Sequence, residues 1–121
     1  MRALVGDMED IYPSAIRHDP ARLARFKAIQ LATDPASLAA TYRMIATTDY
    51  DSIFPAIRCP TLVIAAGLYP QRPIPSVRAI ADHIAGARFL VLPTGHFMAL
   101  QSPEMLLPVL QDFVAKLPPA R

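Results

Sequence analysis

The chain has 121 residues, 53% of them hydrophobic and 18% charged, and a formal net charge of +2, which argues for one folded domain and against disorder. Its arginines are scattered, with no basic run and no interleaved aromatics, so nucleic acid is not expected as a partner. One cysteine excludes an internal disulfide and a thiolate metal cluster, and no apolar stretch approaches the ~20 residues that span a bilayer, so no membrane is expected either.

Residues 1–7 carry one early charge and too short an apolar run for a secretory leader. With the lone cysteine, this leads to the expectation of a reducing, cytoplasmic compartment. Residues 1–50 read as helices without strands, beginning with a short helix over 7–16. Asp19-Pro20 and Asp34-Pro35 are start signals. The carboxylate caps free N–H groups, and proline suits the first helical position. Leu23, Phe26 and Ile29 then recur about one turn apart. Leu38, Tyr42 and Ile45 follow at i, i+4 and i+7. Both stripes are expected to be packing surfaces.

Residues 49–58 read as a connector. Asp49 and Asp51 shape a turn there, and Phe54-Pro55-Ala56-Ile57 packs a bend. The composition changes at Pro60, which places a boundary near residue 50. Residues 1–50 form a helical segment and 51–121 an α/β part.

Two apolar runs without alternation, 61–66 and 89–92, suggest strands covered on both faces, as in a parallel sheet. Three prolines among residues 70–75 forbid regular structure after the first run. Ser76 then caps a helix whose apolar face is Val77, Ile80, Ala81 and Ile84, and Gly86 ends it in a left-handed conformation. Strand, helix and strand in that order make a right-handed βαβ unit. Ser102-Pro103 opens a last helix that buries Leu106, Val109, Leu110, Phe113, Val114 and Leu117. Pro108 should bend or restart it.

Functional groups in parallel sheets gather where strands end at their carboxyl edge. His96 lies just past the second run and is the candidate catalytic residue. Cys59 precedes the first run, so the two side chains lie near opposite ends of parallel strands, roughly 20 Å apart at ~3.3 Å per residue. That is far beyond the reach a nucleophile and its base need. His18 and His83 have no partners at metal-ligand spacing, so no metal and no cofactor are expected. Tyr69 reads as a loop aromatic near the active edge, and Arg72 as solvated surface.

The run Ile57-Arg58-Cys59-Pro60-Thr61-Leu62-Val63-Ile64-Ala65 resembles the penultimate strand of α/β-hydrolases. The segment from Ile84 to Pro93 resembles the approach to their last strand, and Gly95-His96-Phe97 is similar to their catalytic-histidine loop. Gln101-Ser102-Pro103-Glu104 and the closing helix match in order. Residues 1–50 resemble the end of the helical cap that enol-lactonase and haloperoxidase-like members insert over the site. The resemblance implies a partial α/β-hydrolase fold, with a cap segment followed by a parallel βαβα unit. It implies an ester, lactone or related acyl substrate and His96 as general base.

Two departures go with it. The family's nucleophile sits in Gly-x-Ser-x-Gly on a sharp strand-to-helix turn. Ser14, Ser37, Ser52, Ser76 and Ser102 all lack those glycines, so the nucleophile strand would lie upstream of Met1. The family's acid usually follows the penultimate strand as Gly-x-x-Asp, whereas here Pro70 follows Gly67-Leu68-Tyr69; some members place it one strand earlier, on a strand this chain also lacks. The isolated chain is therefore expected to be inactive.

Two strands do not make a stable sheet alone. The open side is expected to be that of residues 61–66, facing either the missing N-terminal half of a hydrolase or a second copy. Three functions follow: a hydrolase completed from elsewhere, a hydrolase-derived binding module without chemistry, or an interaction protein that pairs through its strand edge.

Overall fold

A computed structural model describes residues 19–118; the helix expected over 7–16 and His18 lie outside the described residues. Helix α1 (Pro20–Ala32) starts at Asp19, whose carboxylate accepts the N–H groups of Ala21 and Arg22. Helix α2 (Pro35–Thr47) starts at Asp34, which accepts the Ser37 N–H at 2.8 Å. Asp49 caps the short α3 (Tyr50–Ile53) through the Ser52 N–H, and a 3-10 turn (Phe54–Ala56) follows. Each Asp satisfies donors that a helix start leaves free.

Strands β1 (Leu62–Ala66) and β2 (Arg88–Leu92) pair in parallel, Leu62 opposite Arg88 and Ala66 opposite Leu92. Helix α4 (Ile74–Asp82) makes the crossover and packs on both strands. It starts two residues before Ser76. Pro73 is its N-cap, and the Ser76 hydroxyl donates to the Pro73 carbonyl at 2.8 Å. Proline near a helix start needs no N–H partner, so the proline cluster opens this helix rather than delaying it. Gly86 has φ 74, as its position implies.

The short α5 (Met98–Gln101), in a stretch expected to be loop, leads into α6 (Pro103–Ala115). Helix α6 runs through Pro108 without a restart. Ser102 is its N-cap residue, but its hydroxyl is engaged elsewhere and makes no capping bond.

The expected stripes are only partly covered. Among the described residues the buried apolar side chains are Phe26, Ala65, Ala66, Ala81, Ile84 and Leu92. Phe26 is 1% exposed, but Tyr42 of the α2 stripe is 63% exposed and Val114 of the α6 stripe 62%. No residue of α2 or α6 is fully buried. A two-stranded sheet has too little surface to cover so many helices.

The open edge of β1 follows from its register. The Thr61 carbonyl accepts from Arg88 N–H, and Gly67 N–H donates to the Leu92 carbonyl. In a parallel ladder alternate residues of a strand address the same neighbour. Val63 and Ala65 therefore face β2 as well, while Leu62, Ile64 and Ala66 point their backbone groups away. The sheet has two strands among the described residues, so no backbone strand meets that side.

Candidate active site

The loops after the two strands are tied together beyond the sheet. Gly67 N–H reaches the Leu92 carbonyl at 2.8 Å, and Leu68 N–H reaches the Thr94 carbonyl at 3.0 Å. A Cβ at Gly67 would sit 3.1 Å from the Leu92 oxygen and 3.3 Å from Val91 Cγ1, so a side chain here would press on the junction between the two loops. Two turns follow, from Tyr69 N–H to the Ala66 carbonyl and from Arg72 N–H to the Tyr69 carbonyl.

These turns bring Tyr69 onto His96. Their rings stack with centroids 4.6 Å apart and planes 24° from parallel. Phe97 meets the imidazole edge-on at 4.9 Å and itself packs on Phe26 of α1 at 4.9 Å. His96 keeps an exposed side, where it joins Phe97, Met98, Leu100 and Leu106 in lining an open cavity of about 370 Å³. Its covered faces lose water, which disfavours the charged imidazolium. Burial first, and the Arg72 guanidinium second, hold its pKa below the ordinary histidine range. A lowered pKa favours the neutral imidazole, the form that accepts a proton.

A dry polar cluster underlies this loop. Thr94, Gln101 and Ser102 are fully buried, and Thr94 Oγ1 donates to Ser102 Oγ at 2.8 Å. Gln101 Oε1 accepts the Phe97 N–H at 3.1 Å, fixing the backbone next to His96. The Gln101 carbonyl accepts from Arg22 at 3.1 Å, and the same guanidinium bonds Glu104 Oε2 at 2.9 Å. Helix α1 is thereby fastened to the end of the histidine loop. Gln101 Nε2 is buried without a hydrogen-bond partner among the described residues.

The sequence points to His96 but presents Tyr69 as an incidental loop aromatic, and it assigns no role to Gln101. Proximity to the strand end is the one signal for Tyr69. The run Gln101-Ser102-Pro103-Glu104 is the signal for Gln101. Cys59 is exposed and lies before β1, at the far end of the sheet from His96. His83 is exposed on the α4 end, with Nδ1 2.6 Å from the Ala79 carbonyl. Pro70 stands where the resemblance places an acid, and among the described residues no carboxylate bonds the imidazole. Among them, too, no three His, Cys, Asp or Glu side chains gather as a metal site, and no helix is long and apolar enough to cross a membrane.

No protein-family model matches the chain, and no curated protein sequence matches it significantly. Solved structures match its fold. An enol-lactonase from Burkholderia xenovorans superposes on 96% of the chain with a TM-score of 0.86 and 24% identity. A hydrolase from Pseudomonas aeruginosa superposes on 93% with a TM-score of 0.78 and 29% identity. A thermophilic esterase from Thermogutta terrifontis, solved with malate bound, superposes on 94% with a TM-score of 0.78 and 24% identity. The chain covers 45%, 43% and 43% of those three chains, so it spans less than half of their length. The architecture is a partial α/β-hydrolase fold, as the resemblance implied.

Proposed function

We propose that this chain is the histidine-bearing part of an acyl hydrolase acting on an ester or lactone. His96 is its general base, and a segment laid along the open edge of β1 supplies nucleophile and acid. The observation that carries the reading is the placement of His96. It follows the carboxyl end of β2, its pKa is lowered by burial, and Gln101 accepts the N–H of the next residue, Phe97. The solved enol-lactonase and esterase that share this architecture support the substrate class.

In the proposed reaction, His96 takes the proton of the nucleophile as it attacks the acyl carbon. The imidazolium then returns that proton to the leaving oxygen. A carboxylate that orients the ring and stabilises its charged form has to come from the completing segment, because Pro70 has no acid to offer.

The test is reconstitution. The chain is mixed with a polypeptide that carries the remaining strands and a Gly-x-Ser-x-Gly serine, and p-nitrophenyl acetate hydrolysis is followed. Activity is expected from the mixture and not from either part. His96→Ala in this chain should lower it by roughly 10³-fold or more. Activity indifferent to His96→Ala would refute the role.

The unpaired edge of β1 and the proline at the acid position favour a second reading, a non-catalytic module that pairs through that edge. Under it the reconstituted mixture associates but hydrolyses nothing.

A further inference from the structure

A second cavity, of about 400 Å³, lies where the helical segment meets α4, lined by Ile45, Tyr50 and Phe54 from one side and Arg72, Val77 and Ile80 from the other. Tyr50 and Phe54 line one wall as a stacked pair, ring centroids 5.5 Å apart and planes 24° from parallel. Ser76 also lines the cavity, but its proton is committed to the Pro73 carbonyl. Among the described residues no acidic side chain lines it.

Arg72 is the exception to these apolar walls. Arg22 is paired with Asp19 and Glu104, and Arg88 with Asp112. The Arg72 guanidinium forms no ion pair or side-chain hydrogen bond with a described residue. A free planar fork beside an apolar hollow offers half of a recognition pair: the fork matches a carboxylate, and the hollow matches a hydrocarbon body.

We propose that this cavity binds carboxylates with an aliphatic or aromatic body, Arg72 holding the carboxylate and the Tyr50–Phe54 wall and Ile80 covering the body. The proposal deepens the hydrolase reading, and its catalytic meaning rests on that reading. Arg72 acts electrostatically on His96. A ligand carboxylate on Arg72 offsets the guanidinium charge that disfavours the imidazolium, and the ligand class is an acyl acid or its parent compound.

The experiment is isothermal titration of the whole chain with hexanoate and with hexanamide, its neutral analogue. Hexanoate is expected to bind at least about tenfold more tightly. Arg72→Gln should erase that preference and leave hexanamide binding unchanged, Arg72→Lys should keep part of it, and Ile80→Asp should weaken both ligands. Equal affinities, or a preference that survives Arg72→Gln, would overturn the proposal. His96→Ala should leave hexanoate binding intact, which separates this site from the catalytic role. If reconstitution yields no hydrolysis while the hexanoate preference holds, the hydrolase reading falls and this site stands. Hydrolysis without the preference removes this site and leaves the hydrolase reading in place.

Discussion

The rings of Tyr69 and His96 lie 4.6 Å apart and nearly parallel, joining the loop after β1 to the loop after β2. Tyr69 covers the face of an imidazole whose pKa burial lowers. Tyr69→Ala readmits water to that face, so the His96 pKa should rise toward the ordinary histidine value, as followed by NMR of the ring protons. Tyr69→Phe keeps the stack and should leave it in place. An unchanged titration in Tyr69→Ala would show that the stack does not govern the ring's solvation.

The same depressed pKa makes stability depend on pH. Between the folded value and the ordinary 6.5, the unfolded chain binds more protons at this ring than the folded one. Stability from His96 is therefore fully present above 6.5 and lost as pH falls through the folded value. The lowered carboxylates Asp34, Glu104 and Asp112 work in the same direction in a more acidic window, below ordinary values of 3.8 to 4.5. Urea midpoints measured between about pH 5 and pH 8 should rise with pH, and His96→Asn should flatten that rise.

The buried Thr94–Ser102 hydrogen bond is expected to show strong coupling. Ser102→Ala leaves the Thr94 hydroxyl dry and unpaired, and should cost about 1–3 kcal/mol. Thr94→Val together with Ser102→Ala removes both partners and should recover much of that loss. Chemical denaturation of the two single variants and the double variant closes the cycle, and additive losses would mean the bond carries little.

Gly86 and Gly67 should respond differently to alanine. At Gly86 the cost is conformational, because φ is 74 and no atom stands near a Cβ; about 1 kcal/mol is expected. At Gly67 the Cβ meets the Leu92 carbonyl, so the β1–β2 junction must shift. Gly67→Ala should alter the His96 ring resonances, and Gly86→Ala should not.

The open edge of β1 makes a prediction about mass. The isolated chain should self-associate with concentration, as seen by sedimentation. Ile64→Pro removes an N–H that faces outward and should return a monomer. Val63→Pro is the wrong probe, because its N–H belongs to the ladder with β2. A mass independent of concentration in the wild type would remove the edge as a contact.

Local chemistry was legible from the residues. Asp19 and Asp34 cap helices because each is an acceptor beside free donors, and Gly86 takes the left-handed turn because it has no Cβ; Asp49, read as shaping a turn in a connector, caps the short α3 instead. The two apolar runs pair in parallel, as expected, but most of their residues are only half-buried and Val91 is exposed, so the sheet is not covered on both faces among the described residues. Burial was less legible. The stripes of α2 and α6 were expected to be packing faces, yet Tyr42 and Val114 stand exposed. Periodicity says which side of a helix is apolar, not whether anything lies opposite it.

The sequence by itself determined the two strands, the helix between them and the closing helix, and pointed to His96, since capping, strand content and the position of a loop are set within a few residues. Tertiary structure alone decided that Tyr69 stacks on His96, that Gln101 holds the backbone of Phe97, and that Arg72 stands without a counter-ion among the described residues beside a cavity. Those relationships join segments that no local spacing connects; they exist because β1 and β2 lie side by side and bring their following loops to one edge.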